Sequence, residues 1–190
     1  MVRDLGSSPS ADGTGGFDRY CREDTASLIG FLIKLGADPE EARDAFQTTM
    51  IEVYSRWDNI ESPRAYARTT AERVFLKSRA RAADESDRLA KGGWGVDRTP
   101  NLPLDMVIFK EQAAELIELM RQLPPTQRRV LAWHLDGFSN KEIAERFGEK
   151  PSTVASNLRH ANSAMRKLWI ERKQRAAATG RRAADERSGA

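Results

Sequence analysis

At 190 residues, 39% hydrophobic and 31% charged, the chain can bury one large or two small cores beneath a heavily charged surface. A single cysteine, Cys21, excludes an internal disulfide and any cysteine-built zinc site, and a net charge of +3 is too small an average to name a partner. No apolar run is long enough to span a membrane and the N-terminus lacks a signal-peptide pattern, so a cytoplasmic protein is expected.

Residues 1–16 are rich in Gly, Ser and Pro and are expected to be disordered. A helix is predicted from about Phe17 to Leu35, with Cys21, Leu28, Phe31 and Leu32 near helical spacing and Gly36 ending it. Asp38-Pro39-Glu40-Glu41 restarts the chain with an Asp cap, Pro at the first helical position and Glu at the third. The second helix carries Ala42, Ala45, Phe46, Thr49, Met50, Val53 and Tyr54 and closes near Trp57. After a loop at 58–61, Ser62-Pro63 opens a third helix, with Tyr66, Thr70, Val74 and Ser78 read as inward. Three helices with short connections predict a compact bundle over 17–81.

Charge changes sign within that bundle. Residues 35–62 hold seven acids (Asp38, Glu40, Glu41, Asp44, Glu52, Asp58, Glu61) against Arg43 and Arg56. Residues 64–81 hold six bases (Arg64, Arg68, Arg73, Lys77, Arg79, Arg81) against Glu72 alone. Neighbouring helices of opposite sign predict two faces with different partners.

Residues 82–104, with Gly92-Gly93, Gly95, Pro100 and Pro103, read as a flexible interdomain linker; Trp94 within it has either a local seat or a partner. A second bundle is predicted over 105–170. Met106, Phe109, Ala113, Leu116, Ile117, Met120 and Leu123 recur every three or four residues. Pro124-Pro125 ends that helix and seats the next, where Val130 and Trp133 are read as inward and His134 as a core-edge residue before Gly137. The last stretch, 171–190, is expected to fray into a basic tail.

Residues 139–161 carry the strongest chemical signal. Ser139 and Glu142 form a capping box; Ile143, Ala144 and Phe147 make a short apolar face; Gly148 supplies a turn and Pro151 opens a second helix. On that helix Val154, Leu158 and Ala161 point inward, whereas Ser152, Thr153, Ser156, Asn157, Arg159 and His160 offer groups that read base edges and phosphates. No acid occurs between Lys150 and Ile170 to repel a phosphate. The pattern is a helix-turn-helix, with DNA as the expected partner.

No strand pattern, phosphate loop, metal cluster or catalytic constellation is legible, so an all-α, non-enzymatic protein without metal or cofactor is expected. The fold class predicted is two small helical bundles joined by a flexible linker.

These features resemble the extracytoplasmic-function sigma factors, small two-domain promoter-specificity subunits of bacterial RNA polymerase, over about residues 17–81 and 105–169. Leu123-Pro124-Pro125-Thr126-Gln127-Arg128-Arg129-Val130-Leu131 looks like the entry into that family's fourth conserved region, and Glu142-Ile143-Ala144, Gly148, Thr153-Val154 and Leu158 match its helix-turn-helix. Residues 38–47 resemble the polymerase-binding helix of the second region, and Pro63-Arg64-Ala65-Tyr66 with Arg79 and Arg81 resembles the promoter-melting helix. Tyr66 stands where that helix usually has Trp, Arg73 and Lys77 where it has Asn and Asp, and Lys150 where a Ser cap is usual. Arg is frequent in place of Asn157.

The resemblance implies that Asp44, Phe46 and Gln47 bind core RNA polymerase. It implies that Asn59, Ser62, Arg64, Tyr66, Arg68, Arg73, Lys77 and Arg79 melt the minus-ten element, a cationic helix holding the opened strand while the loop 57–62 captures a flipped base. Trp57 and Tyr66 are either stacking partners there or core residues. The recognition helix then reads the minus-thirty-five element. Promoter DNA, core polymerase and an anti-sigma protein are the implied partners, without a small-molecule substrate or membrane insertion; the active protein would be associated with the nucleoid. From the residues alone, a repressor or activator whose first bundle senses a ligand or dimerises remains the alternative.

Overall fold

The computed structural model describes residues 11–90 and 111–188, with side chains given for 15–84 and 114–178. Among these are seven α-helices, one 3-10 turn and no strand. The helices are α1 (Ala11–Leu35), α2 (Pro39–Ser55), α3 (Pro63–Ala90), α4 (Glu111–Arg121), α5 (Pro125–Leu135), α6 (Asn140–Phe147) and α7 (Pro151–Ser188), with the 3-10 turn at Trp57–Asn59. They divide into two compact units, one built on α1 to α3 and one on α4 to α7. The all-α class is the one that the helical periodicities predict.

Local chemistry explains where the helices begin. Asp38 caps α2: its Oδ1 accepts from the amides of Glu40 and Glu41 at 2.9 and 2.8 Å, and Glu41 Oε2 accepts from the Asp38 amide at 2.9 Å. Orphan donors at the helix start are thereby satisfied on both sides. Gly36, at φ +108°, makes the preceding turn in a region that side-chain-bearing residues avoid.

Three ends differ from expectation. α1 starts at Ala11, inside the stretch expected to be disordered, and residues 1–10 lie outside the described part. Phe17 packs against Tyr54 and Trp57 at ring separations of 4.9 and 5.3 Å, and a Cβ at Gly16 would stand 3.4 Å from Trp57 Nε1. An aromatic seat therefore orders the glycine-rich run. α3 runs to Ala90 instead of ending near Arg81, because Ala82, Ala83, Glu85, Arg88, Leu89 and Ala90 are good helix formers and the first glycine is Gly92. α7 continues to Ser188 instead of fraying after residue 170; its lone Gly180 costs only about 1 kcal/mol against alanine. Trp94, Met106 and Phe109 lie outside the described residues.

The first core gathers Leu28, Phe31 and Leu32 of α1, Ala42, Ala45, Thr49 and Val53 of α2, and Ala67, Ala71 and Phe75 of α3, all buried. This corrects the phase read for α3. Thr70 is buried as expected, but Tyr66 and Val74 are half-buried and Ser78 is exposed. Alanines give a weak hydrophobic signal, so the stripe through Ala67, Ala71 and Phe75 was not apparent. In the second unit Leu119, Met120, Leu123, Val130, Trp133, Phe138, Ile143, Val154 and Ala161 are buried, whereas His134 is exposed.

Arg68 is the unexpected member of the first core, fully buried on α3. Its guanidinium forks onto the Asp24 carboxylate of α1, pairing through Nη1 and donating from Nη2 at 2.8 Å; Nη2 also reaches Ser27 Oγ at 2.7 Å. Tyr20 donates its hydroxyl hydrogen to Asp24 at 2.7 Å, and burial with that bond drives its phenol pKa far upward. Removing one partner of a buried pair strands the other charge. Asp24→Ala is therefore expected to cost about 3–5 kcal/mol in urea unfolding, and Asp24→Ala with Arg68→Met to regain most of it. A single-variant loss below about 1 kcal/mol would remove the pair from its structural role.

Candidate nucleic-acid interface

The second unit seats α7, the second helix of the helix-turn-helix, with two local devices around α6. At the start of α6, Ser139 Oγ accepts from the Glu142 amide at 3.3 Å, while the Ser139 amide and hydroxyl donate to Glu142 Oε2 at 2.8 and 2.6 Å. Those donors hold the Glu142 carboxyl below its ordinary range. At its end, Gly148 adopts φ +64° and ψ 29°, its amide donates to Ala144 and Glu145 carbonyls, and the Glu149 amide closes on Ala144 O at 2.9 Å. A Cβ on Gly148 would meet nothing within 4 Å, so the demand for glycine is a backbone one.

Trp133, fully buried on α5, fixes how these helices pack. Phe138 and Phe147 meet it edge-on at 4.8 and 5.9 Å, and the Arg129 guanidinium lies 3.5 Å above the Phe147 ring. Val154 and Ala161 then bury the inner face of α7. Its other faces carry the six residues singled out in the sequence. Ser152, Thr153, Arg159 and His160 are exposed; Ser156 and Asn157 are half-buried. Helical spacing sorts them into two stripes, Ser152–Ser156–Arg159 pointing outward and Thr153–Asn157–His160 along one flank. Arg159 Nη2 reaches Ser156 Oγ at 3.5 Å.

In the first unit the eight residues assigned to melting divide into three groups. Asn59, Ser62, Arg64, Lys77 and Arg79 are exposed, with Arg79 lying 5.6 Å from the Phe75 ring centre. Arg73 and half-buried Tyr66 both turn to Glu52 of α2, Arg73 Nη2 at 2.5 Å and Tyr66 Oη at 3.4 Å. Arg68 is buried against Asp24, which corrects its assignment as a DNA contact: no phosphate reaches a guanidinium enclosed by α1 and α3. Trp57 is half-buried, with Phe17 and Tyr20 each 5.3 Å from its ring. Its neighbours make it an anchor of the 57–62 loop.

On α2, Asp44 and Gln47 are exposed and Phe46 is half-buried. Ile51, 73% exposed, extends their stripe by one turn, and Tyr54, 51% exposed, stands beside it. Neither was singled out as a surface contact. The available signal was phase: Ile51 falls outside the buried series Ala42, Ala45, Thr49 and Val53.

Two helical units, one ending in a helix-turn-helix and one presenting an acidic and a cationic helix, define the class of a DNA-binding protein. Comparison with known proteins gives the class. The family model for Sigma-70 region 2 matches residues 24–85 and that for Sigma-70, region 4 matches residues 113–165. An RNA polymerase sigma-E factor of Streptomyces avermitilis is 29% identical over 159 residues, covering 79% of this chain and 83% of that protein. The solved sigma factor RpoE of Bartonella quintana, in complex with the anti-sigma factor NepR, is similar in fold with a TM-score of 0.63 and 20% identity, over 82% of this chain and 97% of that one. CnrH, solved in complex with the cytosolic domain of CnrY, gives 0.55 and 15%, over 85% and 94% of the two chains.

The chain belongs to the sigma-70 family and is a sigma factor of the extracytoplasmic-function type. As such it binds core RNA polymerase and directs promoter-specific initiation of transcription.

Glu52 neutralises Arg73, one of the cations expected to hold an opened strand. Glu52→Gln should therefore release Arg73 for a phosphate and steepen the salt dependence of single-strand binding by about 0.7 on a log–log scale. An unchanged slope in fluorescence anisotropy would mean that Arg73 stays away from DNA even when free.

Proposed function

We propose a division of labour among three helices for this initiation function. α2 docks on core polymerase through Asp44, Phe46 and Gln47, with Ile51 adding apolar area at the same face. The loop after α2 and the exposed side of α3 hold the melted minus-ten strand through Asn59, Ser62, Arg64, Lys77 and Arg79, with Arg73 and Tyr66 joining once freed from Glu52. α7 reads the minus-thirty-five duplex: Ser152, Thr153, Ser156 and Asn157 reach base edges, and Arg159 and His160 meet phosphates.

The observation that carries this reading is the separation of surfaces on the first unit. Asp44, Gln47 and Ile51 are exposed on α2, whereas the exposed cations Arg64, Lys77 and Arg79 stand on α3. A protein partner and a nucleic-acid strand can be held together only if their surfaces do not compete. A ligand-sensing bundle has no use for such a division.

Two of the matched solved structures are complexes, RpoE with the anti-sigma factor NepR and CnrH with the cytosolic domain of CnrY, which supports control by a dedicated anti-sigma protein that occludes these faces. No helix among the described residues is long and apolar enough to cross a membrane. The reading puts the chain in the cytoplasm, at the nucleoid when active, as a regulator without chemistry of its own.

The docking face is tested by Asp44→Ala with Gln47→Ala. This variant should keep its helical circular dichroism and lose co-purification with core polymerase; normal co-purification would remove the assignment. For base reading, Asn157→Ala is expected to relax preference at one base pair by about 1–3 kcal/mol. Arg159→Ala should instead weaken cognate and scrambled sites alike and lower the salt slope by about one unit. Equal weakening of both sites by Asn157→Ala would take base reading away from that residue.

A further inference from the structure

We propose that α7 carries a second, sequence-independent grip on DNA beyond its base-reading turns, made by Arg166 and Lys167 on the phosphate backbone of the same duplex. This rests on the upstream-reading role of α7 given above and extends it.

α7 runs as one helix from Pro151 to Ser188, whereas the match to region 4 ends at residue 165. Ser152, Ser156, Arg159, Ser163 and Arg166 follow one another at steps of four, three, four and three, so they stand on one stripe, with Lys167 at its edge. The opposite face is the packed one: Val154 and Ala161 are buried, and Leu158, Met165 and Leu168 are half-buried. The outward face of the recognition turns thus continues into Arg166 without changing direction.

Charge along this stripe suits a polyanion. No acid interrupts the sequence between Lys150 and Ile170, and Arg166 and Lys167 are both exposed. Among the described residues, neither has an ion-pair or hydrogen-bond partner. The next cations, Arg172 and Lys173, are taken up by Glu115 of α4 at 3.5 and 4.0 Å, which holds this part of α7 against its own unit. Lys173 also stands 5.7 Å from the Trp169 ring centre, so the largest apolar side chain of the segment is partly covered by a cation. Trp169 and Ile170 remain 48% and 42% exposed, but two side chains are too small an apolar area for a protein partner.

Helix geometry sets what the pair can touch. At about 1.5 Å per residue, Arg166 lies about 21 Å along the axis from Ser152. The major groove is about 8.5 Å deep, so a helix whose first turns reach base edges has left it by Arg166. What remains within reach at the rim is backbone phosphate. Contacts of this kind add affinity without sequence preference.

The test is holoenzyme, assembled from the full chain and core polymerase, titrated onto a promoter duplex at several salt concentrations, with wild type compared to Arg166→Ala plus Lys167→Ala. Two lost phosphate contacts lower the log–log salt slope by about 1.8, so wild type should lose about tenfold more affinity than the variant between 50 and 200 mM salt. Discrimination between cognate and scrambled upstream elements should not change. Parallel salt slopes overturn the proposal, and so does a loss of discrimination, which would make these residues base readers. Intact DNA binding with loss of a co-purifying protein would make the stripe a protein surface and overturn it equally. A wild-type holoenzyme with no preference for any upstream element would bring down the reading beneath it, and the proposal with that reading.

Discussion

The first unit depends on where one arginine goes. α3 is strongly cationic over residues 64–81, and a helix of that kind packs into a bundle only if its inward face is neutralised. Arg68 meets this constraint by forking onto Asp24, with Ser27 bonded to the guanidinium and Tyr20 to the carboxylate. The pair crosses from α3 to α1, while Ala67 and Ala71 are buried on the same helix. Once α3 is fixed in this orientation, Arg64, Lys77 and Arg79 are left outside, and α2 faces away with Asp44, Gln47 and Ile51. A buried charge thus sorts the remaining charges between two surfaces.

The second unit solves a different problem with apolar and backbone means. Its helix-turn-helix projects from a small core, in which fully buried Trp133 meets Phe138 and Phe147 edge-on. The angle between α6 and α7 is set by the left-handed turn at Gly148 and by Pro151 at the first position of α7. Neither device involves a side chain proposed to face DNA. The proposed reading residues Ser152, Thr153, Ser156 and Asn157 therefore stand apart from the two devices that set this turn.

Much of this was legible because the signals are local. The capping boxes at 38–41 and 139–142, the glycine turn and the proline starts are each written within four residues, and each folds as read. What was not legible depends on distant partners. Nothing near Arg68 distinguishes it from Arg64 or Arg73, since its partner Asp24 lies 44 residues earlier and Glu52, which takes Arg73, lies 21 earlier. The phase of α3 was misread because Ala67 and Ala71 mark a core face by smallness, whereas Tyr66 and Val74 look more hydrophobic. The start of α1 was hidden in a glycine-rich run whose order comes from an aromatic seat on Tyr54 and Trp57, made only in the folded unit.

The account claims that this chain acts on promoters as part of RNA polymerase, with strand opening on the first unit and duplex reading on the second. Reconstituted transcription tests this most directly: core enzyme with and without the chain, on fragments of the host genome, with transcript starts mapped and unpaired thymines probed by permanganate. The account predicts starts that appear only with both components, share one pair of upstream motifs, and show permanganate reactivity around the downstream motif. Specific binding of the chain alone to an operator, with transcription starts unchanged by its addition to core enzyme, would contradict it.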